Sequence, residues 1–255
     1  MIPKIIHYCW LSGDEFPESI KHCLDSWKEF LPDYEFRLWD TKRFDMQSCL
    51  WVRQAFEAKK YAFAADYIRL YALYYEGGIY MDSDVVVYKS FNDLLHLPYF
   101  IGEDNLHCFE PAIIGCEPGI PWIKQVLDRY DNRHFVKDDG SLDMRGLPVV
   151  FADRLSGNFH FLRTDEATPY NLESDVIRIF SSNRFNSRDY VGAIRTPYSY
   201  CSHNYLGSWM CQKSYIKNLF KRITPRPLAN LYYSAVYCLD GSKSLKHIQI
   251  PFSEK

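Results

Sequence analysis

The sequence predicts an α/β domain with a mainly parallel central sheet, helices on both of its faces, and a helical appendage at the C-terminal end. Three observations carry this reading. From Ile2 to Arg133, short apolar runs alternate with longer stretches of helical spacing, the pattern of parallel strands joined by crossover helices. The 255 residues are 47% hydrophobic, with 12 glycines and 13 prolines, enough to bury one large core. Beyond Lys213 the chain becomes basic and aromatic, which places a boundary near residue 212.

The elements follow in order. Ile2 to Trp10 is a short apolar run, read as a buried first strand. Pro17 opens a helix to Phe30, with Ile20, Cys23, Leu24 and Trp27 at helical spacing, and Leu31-Pro32-Asp33 ends it. Tyr34 to Trp39 alternates like a strand. Trp51 to Lys59 and Ala62 to Glu76 read as helices, the second closed by Gly77-Gly78. Ile79 to Tyr88 reads as strand on both sides of Asp82-Ser83-Asp84. Ser90 caps a short helix to His96. Tyr99 to Glu103 and Ala112 to Gly115 are strand-like, Pro121 to Arg133 is a helix, and His134 to Arg145 is a charged loop. A helix from Leu147 to Leu155, a strand from Val176 to Phe180 and a Tyr/Ser-rich segment to Trp209 complete the domain.

Charge and cysteines exclude several classes. The net charge of −2 supplies no field for nucleic acid. The eight cysteines are scattered and form no CxxC, so free, mostly buried thiols in a reducing, cytosolic setting are expected. The opening MIPKIIHYCW is no signal peptide, and no window reaches the roughly 18 apolar residues of a membrane span. The 20 tyrosines and 17 phenylalanines suit sugar or nucleotide clefts; the codon bias of an AT-rich genome explains them equally well.

Two places carry charge where burial is expected. The helix from Ala62 is apolar almost all round, yet holds Asp66 and Arg69 at i and i+3. A buried ion pair and a polar patch facing a cleft both fit. Asp82 and Asp84 interrupt an apolar, β-branched run. On an extended strand both would point to one side and repel unless a cation sat near them. Mg²⁺ and Mn²⁺ take such oxygen ligands and leave room for phosphate oxygens. A solvated turn between two strands is the plain alternative. The Asp-x-Asp nucleophile of haloacid-dehalogenase-like phosphatases is a third, but that motif continues with Thr, not Val85-Val86-Val87.

The combined string KKYAFAADYIRLYALYYEGGIYMDSDVVVYKS resembles the DXD signature of glycosyltransferase family 32, which includes many capsular-polysaccharide enzymes and the fungal initiating α-1,6-mannosyltransferase. The glucosylating domains of large clostridial toxins are more distant relatives. IPKIIHYCWLSG, LPDYEFRLWD and the late HNYLGSW are similar to the same group. The resemblance implies a GT-A-like catalytic domain over 1–212, retention of anomeric configuration, and Mn²⁺ (or Mg²⁺) as cofactor. It implies a nucleotide-sugar donor, with a UDP-hexose first and GDP-mannose as the alternative. The implied acceptor is a glycan or lipid-linked oligosaccharide of a bacterial surface polysaccharide. Position by position, Asp84 looks like the direct metal ligand and Asp82 like the carboxylate that meets ribose and the metal's water shell. Asp66 and Arg69 look like the pair that holds donor sugar hydroxyls. Trp10 looks like the base-stacking aromatic, and Tyr80 like a residue near the donor. His203 is the expected third metal ligand, and Ser208 and Trp209 resemble a loop that closes over the diphosphate. No residue stands out as a nucleophile, so front-side return without a covalent intermediate is expected.

Three further readings stand beside this one. A non-catalytic member that binds a nucleotide sugar or glycan and regulates a synthase is the alternative of another class; intact Asp66, Arg69, Asp82 and Asp84 argue against it. Glu103-Asp104 faces the acceptor or forms a solvated loop. In the tail, Lys213, Lys217, Lys221, Arg222 and Arg226 alternate with Tyr215, Ile216, Leu219, Phe220 and Ile223. Such spacing suits peripheral docking on the anionic inner face of a cell membrane, or a helix folded back on the domain.

Overall fold

The computed structural model describes residues 1–173, 175–186, 192–206, 225 and 249–253. The elements run β1 (Ile5–Cys9), α1 (Glu18–Phe30), β2 (Glu35–Trp39), α2 (Leu50–Glu57), α3 (Tyr61–Glu76), β3 (Gly78–Met81), β4 (Val85–Val87), β5 (Tyr99–Glu103) and β6 (Phe109–Cys116). They continue with α4 (Pro121–Leu127), α5 (Leu147–Leu155), β7 (His160–Thr164), β8 (Val176–Phe180), α6 (Ser182–Phe185) and β9 (Cys201–His203). Seven strands form one sheet in the order β2-β1-β3-β6-β5-β8-β7, and β4 pairs with β9 in a separate ribbon. Within the large sheet only the β3–β6 and β5–β6 pairings are antiparallel. The expected α/β class with a mainly parallel sheet is therefore the one observed.

Strand alternation sorts the core into two layers. Tyr80, Ile101 and Ile114 face α2, α3, α4 and α5, together with Trp51, Ile68 and Phe151. Ile79, Met81, Phe100 and Ile113 face the other way, onto Trp27 and Leu31 of α1 and onto Val85 and Val87. Helices thus cover both faces. Because α3 is wedged between α2, α4 and the strands β1 and β3, most of its apolar surface is buried, with Tyr75 left exposed near its C-terminal end.

Two glycines make the junction between α3 and β3. Gly77 has φ +64 and Gly78 φ +92, a region costly for side-chain-bearing residues. A Cβ on Gly78 would also lie 2.8 Å from the Ile5 carbonyl oxygen. The turn delivers the chain from α3 into the middle of the sheet, with the Asp-Ser-Asp at its far end.

Several expected elements change. The strand expected from Ile79 to Tyr88 is broken: Val85 N donates to Asp82 O at 3.0 Å, so the Asp-Ser-Asp is a turn and β4 leaves the main sheet. The cause lies in α1, where Trp27 Nε1 donates to Val85 O and Ser26 Oγ accepts from Val87 N, drawing β4 onto that helix. The helix expected from Ser90 to His96 shortens to one 3₁₀ turn over Asn92–Leu94. The helix from Pro121 stops at Leu127 and tightens into a 3₁₀ turn over Asp128–Tyr130. Strands β7 and β9 and helix α6 were not expected. The six described cysteines are free, and all but the half-buried Cys9 are buried. Among the described residues no helix is long and apolar enough to cross a membrane. The far end of the tail returns to the domain: Ile250 N donates to His107 O, and Ser253 N to Phe161 O. The stretch expected to be an amphipathic basic helix lies almost wholly outside the described residues.

Candidate active site

The Asp-Ser-Asp turn sits at the C-terminal end of β3, where open α/β sheets place their ligands. Asp82 N donates to Ala112 O at 2.8 Å, anchoring the turn to β6. Both aspartates converge, with ligand atoms within 4.8 Å of one another, but through the turn rather than through strand alternation. Their mutual repulsion, expected from the sequence, is relieved by protein cations. Asp82 is held by Arg69 and Asp84 by His203.

Asp82 Oδ1 accepts from Arg69 Nη2 at 2.9 Å and from Tyr80 Oη at 3.1 Å. The Arg69 guanidinium lies 4.4 Å from the Tyr80 ring centre and donates Nη1 to Pro111 O. Its Nη2 is 3.5 Å from Asp66 Oδ1. Asp66 and Arg69 are an ion pair, as one of the two sequence readings has it, and Arg69 extends that pair to Asp82. Burial pushes the Asp66 carboxyl up to about 7 against the opposing pull of Arg69. Burial also raises Asp82, again opposed by Arg69. Arg69, shared between two carboxylates, stays firmly charged.

Strand β9 brings His203 opposite Val85. His203 Nε2 is 3.2 Å from Asp84 Oδ1, and Nδ1 is 3.4 Å from Glu110 Oε1. Leu206 N donates to Asp84 Oδ2 at 2.9 Å and Asn204 N to Asp84 O at 3.1 Å. Burial acts to lower the His203 imidazole, but Asp84 and Glu110 outweigh it and lift it to about 10. Burial pushes Asp84 and Glu110 up, and contact with His203 more than reverses this, leaving both below their ordinary values.

Sequence reasoning missed Glu110, Asn186 and Tyr205. Glu110 is 2% exposed and accepts from Asn186 Nδ2 and Tyr205 Oη. A signal existed: one glutamate in the apolar run FEPAIIGC, the same kind of signal that marked Asp66. Starting that strand at Ala112, past Pro111, hid it. Tyr205 lies in HNYLGSW; nothing marked Asn186.

Trp10 lies just past the end of β1, half-buried. Its ring packs 4.9 Å from Phe16 and its Nε1 donates to Asp14 O. Ser208 and Trp209 lie outside the described residues. Glu103 is not a solvated loop residue: it is 2% exposed and takes two hydrogen bonds from Arg163 and one contact from His107. Asp104 accepts from Leu106 N and Cys108 N, closing the β5–β6 hairpin. Asp104 thus holds the hairpin, and Glu103 ties it to Arg163 of β7.

Asp82, Asp84 and His203 each offer one ligand atom within 4.8 Å of the others. Two carboxylates and an imidazole fit a divalent ion of the Mn²⁺ kind better than Mg²⁺, which prefers an all-oxygen shell. Three protein ligands leave positions for phosphate oxygens.

Comparisons with known proteins bear on the family. The family model described as a glycosyltransferase sugar-binding region containing a DXD motif matches residues 17–101. An uncharacterised glycosyltransferase of Acanthamoeba polyphaga mimivirus is 31% identical over 234 residues, covering 82% of this chain and 84% of its own. Inositol phosphoceramide mannosyltransferase 3 of Schizosaccharomyces pombe is 32% identical over 130 residues, 49% of this chain and 36% of its own. The chain thus spans little more than a third of that relative's length. Among solved structures, the PaToxG glycosyltransferase shares 23% identity over 50% of this chain and 59% of its own, with a TM-score of 0.39, too distant to bear on the fold. With the mimivirus relative matching most of both chains and the family model lying on the segment that carries Asp66, Arg69, Asp82 and Asp84, the chain belongs to the DXD-containing glycosyltransferases.

Proposed function

We propose that this glycosyltransferase moves a hexose from a nucleoside-diphosphate sugar with the help of a divalent cation held by Asp82, Asp84 and His203. The observation that carries the reading is the convergence of those three side chains beside the buried Asp66–Arg69 pair. The cation's contribution is to offset charge on the departing diphosphate. Arg69 and Tyr80 fix Asp82, so its carboxylate meets the donor in one orientation. Asp66, held next to Arg69 at the dry edge of the cleft, accepts from sugar hydroxyls and sets the sugar's position. In the transfer the anomeric C–O bond to the diphosphate breaks and a bond to an acceptor hydroxyl forms. The hydroxyl proton leaves to a departing phosphate oxygen. Trp10, just past the end of β1, is the residue we assign to stacking on the nucleotide base. Retention of configuration and closure by Ser208 and Trp209 belong to the same proposal.

The fission yeast relative is named a mannosyltransferase, which supports GDP-mannose as donor over the UDP-hexose that the sequence resemblance put first. A thermal-shift screen separates them: GDP-mannose, UDP-glucose and UDP-galactose, each with and without Mn²⁺. A ligand at about 100 times its dissociation constant stabilises the native state by about 2.7 kcal/mol. One donor raising Tm only with Mn²⁺ is the expected result. No shift with any nucleoside-diphosphate sugar would defeat the proposal.

A further inference from the structure

Resting on that reading of the cation site, we infer that Glu110 is a positioning residue that turns His203 toward the Asp82–Asp84 cleft. Glu110 comes from β6, outside the Asp-Ser-Asp turn and outside β9, so it links two parts of the site that the chain brings together from far apart. It sits where the β5–β6 register slips, between Ile101 and Gly102, and Gly102 stands opposite it. That irregularity aims its carboxylate at β9.

The geometry leaves the carboxylate little freedom. Oε1 accepts from Ala112 N at 3.1 Å and lies 3.4 Å from His203 Nδ1. Oε2 takes Asn186 Nδ2 and Tyr205 Oη. Asn186 is wholly buried and fixed at the end of α6, where its backbone N donates to Ser182 O. Tyr205 has φ +49, a left-handed backbone unusual for an aromatic residue. That backbone lets its ring stack on His203 at 3.9 Å with 27° between planes while its hydroxyl reaches Glu110. One imidazole edge therefore faces Glu110, and its face lies on Tyr205. The remaining edge, Nε2, faces Asp84.

A ligating histidine generally donates its other N–H to a carboxylate or carbonyl, and removing that partner costs about 10–100-fold in metal affinity. Asp82 is supported by the hydrogen bonds it accepts from Arg69 and Tyr80; the Glu110 carboxylate, 3.4 Å from Nδ1, is placed to take that N–H of His203. A purely architectural Glu110 would affect folding without a specific effect on the cation.

The test is Mn²⁺ binding to the full chain, read from the free Mn²⁺ signal by electron paramagnetic resonance, with melts in chelator as the folding control. Glu110→Gln is expected to weaken Mn²⁺ binding about 10–100-fold, and to add less than twofold in a His203→Ala background. As a measurement that needs no variant, ¹⁵N spectra of wild type loaded with diamagnetic Cd²⁺ should show the His203 Nδ1 protonated and Nε2 shifted by the metal. Wild-type Mn²⁺ affinity retained within twofold in folded Glu110→Gln overturns the role, as does Cd²⁺ on Nδ1. Wild type that binds no Mn²⁺ overturns the cation reading as well, so the two failures are distinct.

Discussion

Neutralising Asp84 should destabilise the metal-free protein. Two bare carboxylates on one strand face would repel, and Asp84→Asn would then stabilise. Here Asp84 is paired instead: His203 Nε2 lies 3.2 Å from Oδ1, and Leu206 N donates to Oδ2. The His203 imidazole rises from 6.5 to about 10 on the combined action of Asp84 and Glu110 against burial. That rise corresponds to about 5 kcal/mol, at about 1.4 kcal/mol for each tenfold change. A hydrogen bond to a charged group contributes roughly 1.5–3 kcal/mol, so loss of the Asp84 partner costs on the order of 2 kcal/mol. The folded value lies above the unfolded one. The contribution is therefore complete below pH 6.5 and fades as pH climbs toward 10. Urea denaturation with chelator at pH 6 and at pH 10 reads it directly. The Asp84→Asn variant should be about 2 kcal/mol less stable than wild type at pH 6, with the gap closing at pH 10. A variant as stable as wild type at pH 6 would show that repulsion, not pairing, governs this turn.

Two other perturbations have clear signs. His7 is fully buried, and its Nε2 meets Gly77 O at 2.8 Å while Trp39 Nε1 donates to its Nδ1, so only the neutral ring fits. Burial lowers it to about 4, and stability should fall by about 3 kcal/mol as pH drops from 6.5 to 4; an unchanged acid slope in His7→Gln denaturation curves would remove this account. Trp10→Ala should weaken donor binding about tenfold to a hundredfold, as loss of a stacking partner worth roughly 1–3 kcal/mol implies. Unchanged donor affinity by calorimetry in a folded variant would place the base elsewhere.

The layout of the first half was legible because its strands and helices are local patterns with strong stops. Pro17, Gly77-Gly78 and Pro121 fall within a residue or two of true boundaries. Charged residues in apolar runs pointed to Asp66, Arg69, Asp82 and Asp84, and the structure joins these in one cluster. What stayed hidden depends on long-range partners. β4 leaves the main sheet because α1 holds it by Trp27 and Ser26, 58 and 61 residues earlier. β9 is three residues long and pairs with a strand far back in the chain, so no periodicity marks it. Glu110 gains its meaning only once His203, Asn186 and Tyr205 are folded around it.

The central claim is that Asp82, Asp84 and His203 hold a cation that the sugar transfer requires. The most direct measurement follows release of nucleoside diphosphate from the donor that the thermal-shift screen identifies, using slow hydrolysis where the acceptor is unknown. Wild type and Asp84→Asn are compared, each with Mn²⁺ and with chelator. The account requires turnover that chelator abolishes, Mn²⁺ restores, and Asp84→Asn lowers about 10²–10³-fold at a temperature and pH where the variant is folded. Turnover that persists in chelator, or that Asp84→Asn leaves within a few-fold of wild type, would contradict it.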